Sequence, residues 1–260
     1  MRENPVKRQL QQGGVAIGTM VMEFNSTGIG RLAAEAGADF VLFDMEHTGW
    51  SVETMRGLVA ATAGTVPLVR VPATEYHFMA RVLDVGAMGL MVPMVHTAEQ
   101  AGRIAEFCKY PPTGRRGAAF GVAHDGYTGG DVREKMASAN EEVLLIAQIE
   151  SPQGVENAEA IAATEGIDIL WIGHFDLTNF MGIPAQFEHP DYLAAIDQVR
   201  QACERQGKAL GQLCTNVEEA KGLLARGFRC LAYGLDIILY KEALGRGIDE
   251  LRDDDGKTAQ

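Results

Sequence analysis

Short apolar runs recur along this chain, each halted by a polar residue, glycine or proline and each followed by a segment with helix signals. Val15–Met22, Phe40–Phe43, Val66–Val69, Gly89–Val92, Val143–Ile149, Ile169–Ile172, Ala209–Leu213 and Cys230–Tyr233 read as strands. Helix starts stand between them. Asn25-Ser26-Thr27 precedes a helix through Ala36, and Ser51, with Glu53 in the first turn, precedes one to about Ala63. Thr97 with Gln100 forms a capping box for a helix to about Cys108. Ser151-Pro152 begins a helix directly after Glu150, and Asn216 with Glu219 caps another. Further helices are expected from about Tyr76 to Val85, from Tyr192 to Arg205, and from near Asp236 onward. Met1–Gln12 reads as a polar lead-in, and Tyr110–Gly130 as one long irregular connection rich in Gly, Pro and Arg.

Strand and helix alternate about eight times at ~30-residue spacing, the rhythm of βαβ units. With 260 residues and no break in composition, the chain matches the ~250 residues of a closed (β/α)8 barrel. A single α/β TIM-barrel domain over residues 1–252 is expected, with a disordered polar tail over 253–260. An open doubly wound sheet is the alternative. The absence of Gly-x-Gly-x-x-Gly after an early strand lowers its dinucleotide-binding version.

Composition narrows the partners. A hydrophobic content of 47% supports one sizeable core, and 30 glycines suit many short turns. The net charge of −12 argues against nucleic acid and anionic membrane surfaces. Four cysteines without a C-x-x-C pair indicate neither a zinc knuckle nor a disulfide framework, and suit a reduced cytoplasmic setting. No apolar run approaches the ~20 residues of a membrane span, and the N-terminus lacks the apolar core of a secretory leader. A small-molecule substrate is the remaining kind of partner.

The polar residues at the carboxyl ends of the strands point to chemistry. Asp44 and His47 follow strand two, Arg70 ends strand three, Gln148 and Glu150 finish strand five, and Asp176 follows strand six. A parallel barrel gathers such residues at one mouth, where ligands bind. Glu150 and Asp176 are most simply ligands for one hard divalent cation; the bland alternative is two solvated loop acids. Only two carboxylates leave positions for water and substrate oxygens, which suits Mg²⁺, Mn²⁺ or Co²⁺ better than a closed zinc site. Arg70 would hold a substrate oxygen and stabilise developing negative charge, or else bridge acids across the barrel top. His47 is the base candidate nearest neutral pH, with Asp44 to orient it, and His174 is a pocket wall. The lysines at 7, 109, 135, 208, 221, 241 and 257 all lie away from the strand ends, so no amine is placed for a Schiff base.

Seven motifs, taken in order, resemble one family. They are Phe43-Asp44-Met45-Glu46-His47, Val69-Arg70-Val71-Pro72, Leu83-Asp84-Val85-Gly86-Ala87, Val92-Pro93-Met94-Val95, Tyr110-Pro111-Pro112 with Gly114-Arg115-Arg116-Gly117, Gln148-Ile149-Glu150, and Ile172-Gly173 through Asp176-Leu177. They resemble the HpcH/HpaI aldolases, the metal-dependent class II pyruvate aldolases related to 4-hydroxy-2-oxoheptanedioate aldolase. The resemblance implies reversible retro-aldol cleavage of a 4-hydroxy-2-oxo acid to pyruvate and an aldehyde, through an enolate held at the metal. It implies metal ligation by Glu150 and Asp176, with Arg70 on the keto oxygen and Gln148 nearby. Backbone N–H groups around Gly173, Phe175 and Asp176 would take the carboxylate, and Leu213 would join the substrate wall. Asp44 and His47 would act as the base dyad through a metal-bound water, and Asp84 would reach a neighbouring subunit's site. A homohexamer is implied too, a trimer of dimers exchanging C-terminal helices. Where many relatives carry Gly-Pro-Ala-Asp-Leu-Ser, this chain has Gly173-His174-Phe175-Asp176-Leu177-Thr178, and Glu23-Phe24-Asn25 replaces a small, Ser-rich segment. Both departures bear on the aldehyde half of the substrate. An acyl-CoA lyase of the citrate-lyase-like branch, hinted at only by Arg115-Arg116, and a non-catalytic oxo-acid-binding barrel are the alternatives.

Overall fold

The strands form where the apolar runs stand. The computed structural model describes residues 2–258 and contains β1 (Ala16–Val21), β2 (Phe40–Asp44), β3 (Val66–Arg70), β4 (Gly89–Val92), β5 (Leu144–Ile149), β6 (Ile169–Ile172), β7 (Ala209–Cys214) and β8 (Cys230–Leu235). All pair in parallel in chain order, and β8 closes on β1, giving an eight-stranded barrel. The helices are α1 (Pro5–Gln11), α2 (Ile29–Glu35), α3 (Val52–Ala61), α4 (Tyr76–Asp84), α5 (Ala98–Cys108), α6 (Val132–Glu142), α7 (Pro152–Glu156), α8 (Ala158–Ala162), α9 (His174–Phe180), α10 (Pro190–Gln206), α11 (Val217–Ala225) and α12 (Asp236–Thr258).

Alternation along each strand divides the core in two. Val41, Phe43, Val69, Leu90, Ile149 and Leu170 point outward into a layer shared with the helices. Phe40, Leu42, Leu68, Met91, Ile146 and Trp171 fill the barrel interior. Small residues make room for large ones. A Cβ at Gly211 would stand 2.3 Å from the Trp171 ring.

The expected helix starts are present. Ser51 Oγ accepts from the Thr54 N–H, Ser151 Oγ from the Gly154 N–H, and Asn216 Oδ1 from the Glu219 N–H. The Thr97–Gln100 capping box is complete. Four segments differ from the sequence reading, one of them the short helix α9 that opens directly after Gly173. The polar lead-in is helical, because Asn4 caps it and Pro5 opens it. Its Val6 and Leu10, four apart, enter the interior cluster and close the lower end of the barrel. Each burial of this kind contributes roughly 1.5–3 kcal/mol. Residues 132–142, left without an element by the apolar pattern, form α6, capped by the Asp131 side chain on the Arg133 and Glu134 N–H groups. The terminal helix continues through Thr258, over most of the expected tail; residues 259 and 260 lie outside the described residues. No helix among the described residues is long and apolar enough to cross a membrane. All four cysteines are buried free thiols.

Candidate active site

The interior face of each strand, followed to its carboxyl end, delivers the polar residues to one mouth. Asp44 continues the Phe40, Leu42 series, and it pairs in register with Arg70 at the end of β3. Gln148 continues Leu144 and Ile146 and pairs with Trp171 on β6. His47, Arg70, Gln148, Gly173, Phe175, Asp176 and Leu213 all line a cavity of about 230 Å³ there.

Asp44 is fully buried and organises this end of the barrel. Its Oδ1 accepts from Arg70 Nε at 2.6 Å and from the Glu46 N–H at 3.1 Å, and its Oδ2 accepts from the His47 N–H at 3.0 Å. The carboxylate therefore reaches the backbone of His47, and not the imidazole that the sequence reading assigned it to orient. The carboxylate beside the ring is that of Glu46, whose Oε2 lies 3.8 Å from His47 Nε2 and 3.1 Å from Arg70 Nη1. Burial pushes the Glu46 carboxyl up to about 7; the Arg70 guanidinium opposes this, and Asp44 and Asp176 add to it.

Glu150 stands just beyond the end of β5, buried, and is held by the neighbouring strand's turn as well as by its own. Its Oε1 accepts from the Met94 N–H at 2.6 Å, and Gln148 Nε2 donates to its Oε2. Met94 presents that N–H from a left-handed conformation, φ 55°, in the turn after Pro93. Burial lifts the Glu150 carboxyl to about 7; the Met94 N–H opposes the shift, while the charges of Glu46 and Asp176 reinforce it. Asp176 lies in the first turn of α9, immediately beyond β6. Gly173 joins the two. A Cβ there would meet Glu150 Oε2 at 2.5 Å and Gln148 Nε2 at 2.9 Å, so only glycine lets β6 pass so close to the acid.

These features fit a divalent cation. Gln148 Oε1 is buried without a hydrogen-bond partner, and the charge of Asp176 strengthens the hold of both Glu46 and Glu150 on their protons. No three His, Cys, Asp or Glu side chains among the described residues form a metal cluster. Two protein carboxylates, completed by water and substrate oxygens, agree with that.

Other expected residues fall as follows. Phe175 lines the cavity, and its ring packs against His174 at 4.7 Å and Phe187 at 5.2 Å. His174 is buried, which lowers its affinity for protons, as suits a wall. The Gly173 N–H donates to Ile149 O and so is spent on the sheet, leaving Phe175 and Asp176 as the carboxylate donors of that set. Asp84 ends α4, accepts from Arg116 Nη2 at 2.6 Å, and stands outside this chain's cavity. Sequence reasoning missed Glu46, which lies in the same Asp-Met-Glu-His run, because beyond the strand end alternation no longer says which side chain turns inward. It also missed Met20, Met22, Met91, Trp171 and Leu235, which complete the wall.

A closed parallel barrel with acids, an arginine and a histidine converging at the carboxyl ends of its strands is the architecture of a barrel enzyme. Residues 22–243 match the HpcH/HpaI aldolase/citrate lyase model, and the chain belongs to that family. It is 36% identical over 259 residues to a 2-keto-3-deoxy-L-rhamnonate aldolase of Klebsiella pneumoniae, covering 99% of this chain and 96% of that one. It is 34% identical to a hydroxypyruvate/pyruvate aldolase of Paraburkholderia phytofirmans, covering 96% and 98%. The crystal structure of an HpcH/HpaI aldolase from Desulfitobacterium hafniense superposes with a TM-score of 0.89 at 31% identity, covering 95% of this chain and 96% of that one.

Proposed function

We propose that this protein is a class II pyruvate aldolase that reversibly cleaves a 4-hydroxy-2-oxo acid to pyruvate and an aldehyde. The observation that carries the reading is that Arg70, Gln148 and Asp176 line one mouth while the buried Glu150 accepts from Gln148 and lies against Gly173 at its edge. Glu150 and Asp176 would hold a divalent ion, Mg²⁺, Mn²⁺ or Co²⁺, which when bound supplies Lewis acidity at the 2-oxo group. Arg70, fixed through Nε by Asp44, offers its outer N–H groups to the oxygen that gains charge as the C3–C4 bond breaks. Gln148 Oε1 and the first-turn N–H groups of Phe175 and Asp176 orient the oxo acid. His47, half-exposed at the rim, removes the C4 hydroxyl proton and returns it in the synthetic direction. Glu46 carries the counter-charge beside its ring. An acyl-CoA lyase would need a basic groove at this mouth, and Arg116 instead is buried against Asp84.

The relatives' names support the aldolase activity, and a dense apolar stripe on α12 supports an assembly. Ile237, Tyr240, Leu244, Ile248 and Leu251 are exposed at spacings of three and four. An apolar cavity of about 480 Å³ between α2 and the β1–β8 seam, lined by Ile29, Leu32 and Tyr233, is of matching character. Exchange of α12 between subunits of a homohexamer would cover both, and would bring Asp84 toward a neighbouring mouth. The buried free thiols suit a cytoplasmic enzyme.

The test is pyruvate release from a panel of 4-hydroxy-2-oxo acids, with chelator and with each divalent metal restored. Activity lost on chelation and regained with Mg²⁺, Mn²⁺ or Co²⁺ is expected. Pyruvate release indifferent to chelator would remove the metal role.

A further inference from the structure

Every polar group that lines the mouth already has a task. Arg70, Gln148 and Asp176 serve the oxo-acid half, and His47 meets the C4 hydroxyl. The rest of the lining, which includes Met22, Leu213, Leu235 and Phe175, is apolar apart from Trp171 and His174. Only those two carry a polar side-chain atom, and both are buried, His174 against the rings of Phe175 and Phe187.

Phe175 dominates this side. The residue is 53% exposed, yet its ring is braced: the His174 ring lies 4.7 Å away, Phe187 stands edge-on at 5.2 Å, and Phe187 packs on Tyr192 at 5.9 Å. Tyr192 is itself buried, so the wall is anchored in α10 and cannot easily turn aside.

On this basis, and resting on the aldolase reading above, we infer that the aldehyde half of the substrate is apolar, an alkyl or aryl aldehyde without further hydroxyls, and that Phe175 sets this preference. A polyhydroxylated aldehyde would lose water from its hydroxyls against Met22, Leu213, Leu235 and Phe175, whose side chains offer no hydrogen bond in return. Each such loss weakens transition-state binding by roughly tenfold. An alkyl chain of the same size gains from the same surface.

Pentanal and glyceraldehyde have equal numbers of non-hydrogen atoms and make the test direct. With the metal-loaded enzyme and saturating pyruvate, kcat/KM for each is measured in the synthetic direction and corrected for the hydrated fraction of the aldehyde. Pentanal is expected to exceed glyceraldehyde by about 30-fold or more. Phe175→Ala should lower that ratio about tenfold, and Phe175→Leu, which keeps an apolar wall, should hold it within about threefold. A ratio near one in the parent enzyme, or a ratio that Phe175→Ala leaves in place, would overturn the inference. Exchange of the pyruvate methyl protons in D2O, followed by NMR without any aldehyde, separates the two levels. Exchange with a ratio near one defeats only the aldehyde assignment, whereas absence of exchange defeats the aldolase reading beneath it.

Discussion

Asp44 and Glu46 divide between them the work that the Asp-x-x-His spacing suggests for one acid. Both oxygens of Asp44 are taken, by Arg70 and by the turn that carries His47, so its role is to hold geometry. Glu46, beside the His47 ring and with its proton affinity raised to about 7, is the one of these two carboxyls that can change charge near neutrality. The acid limb of the kcat/KM profile is therefore expected to rise through about pH 7 and to flatten in Glu46→Gln, with kcat lowered about 10²-fold. Stability moves the other way. Because its folded value lies above 4.5, the folded protein holds this proton while the unfolded chain releases it, and stability falls as pH rises from 4.5 to about 7. In the metal-free protein, Glu46→Gln should thus gain in Tm over the parent between pH 5 and pH 8; a constant difference would contradict the raised proton affinity. The residues legible in the sequence, Asp44, Arg70, Gln148, Glu150 and Asp176, all sit on or next to a strand end. Glu46 did not show, because its inward turn is set by the hydrogen bonds of the Asp44 carboxylate rather than by strand alternation.

Among the elements, the contact between β5 and the end of β6 positions the chemistry. Gly173 is the point of closest approach, and Gly173→Ala would drive a methyl group into Glu150 and Gln148. Loss of more than about 10²-fold in turnover is expected, since an ångström of displacement at a reacting centre has that effect. The circular dichroism spectrum should stay that of the parent. Retained activity would show that Glu150 has room to move. The strands were readable because burial on both faces leaves continuous apolar runs, and most helices because their caps are written in Ser, Thr and Asn. The first helix escaped notice for a physical reason: it is mostly polar, and only Val6 and Leu10 meet the core. The sixth helix has an amphipathic pattern too weak to separate it from the loop before it, with only Lys135 and Ala139 buried. Its place is fixed by tertiary contacts, including Asn140, which bonds both the N–H and the C=O of Tyr110.

At the scale of the molecule, two apolar surfaces await cover, the outer stripe of α12 and the cavity beside α2. Leu244→Glu places a charge in the middle of the stripe without touching the mouth. Analytical ultracentrifugation is expected to show the parent as a hexamer and this variant as a smaller species; an unchanged sedimentation coefficient would exclude exchange through this helix. The barrel itself was legible from the eightfold rhythm, whereas the hexamer came only from the family resemblance, because an exposed apolar stripe looks the same in sequence as one buried in the chain's own core. The account as a whole turns on two carboxylates holding one cation, and Mn²⁺ binding followed by electron paramagnetic resonance measures that without reference to turnover. The parent should bind one ion per mouth, and Glu150→Gln and Asp176→Asn should each weaken binding at least about tenfold. Binding left unchanged in both variants would contradict it.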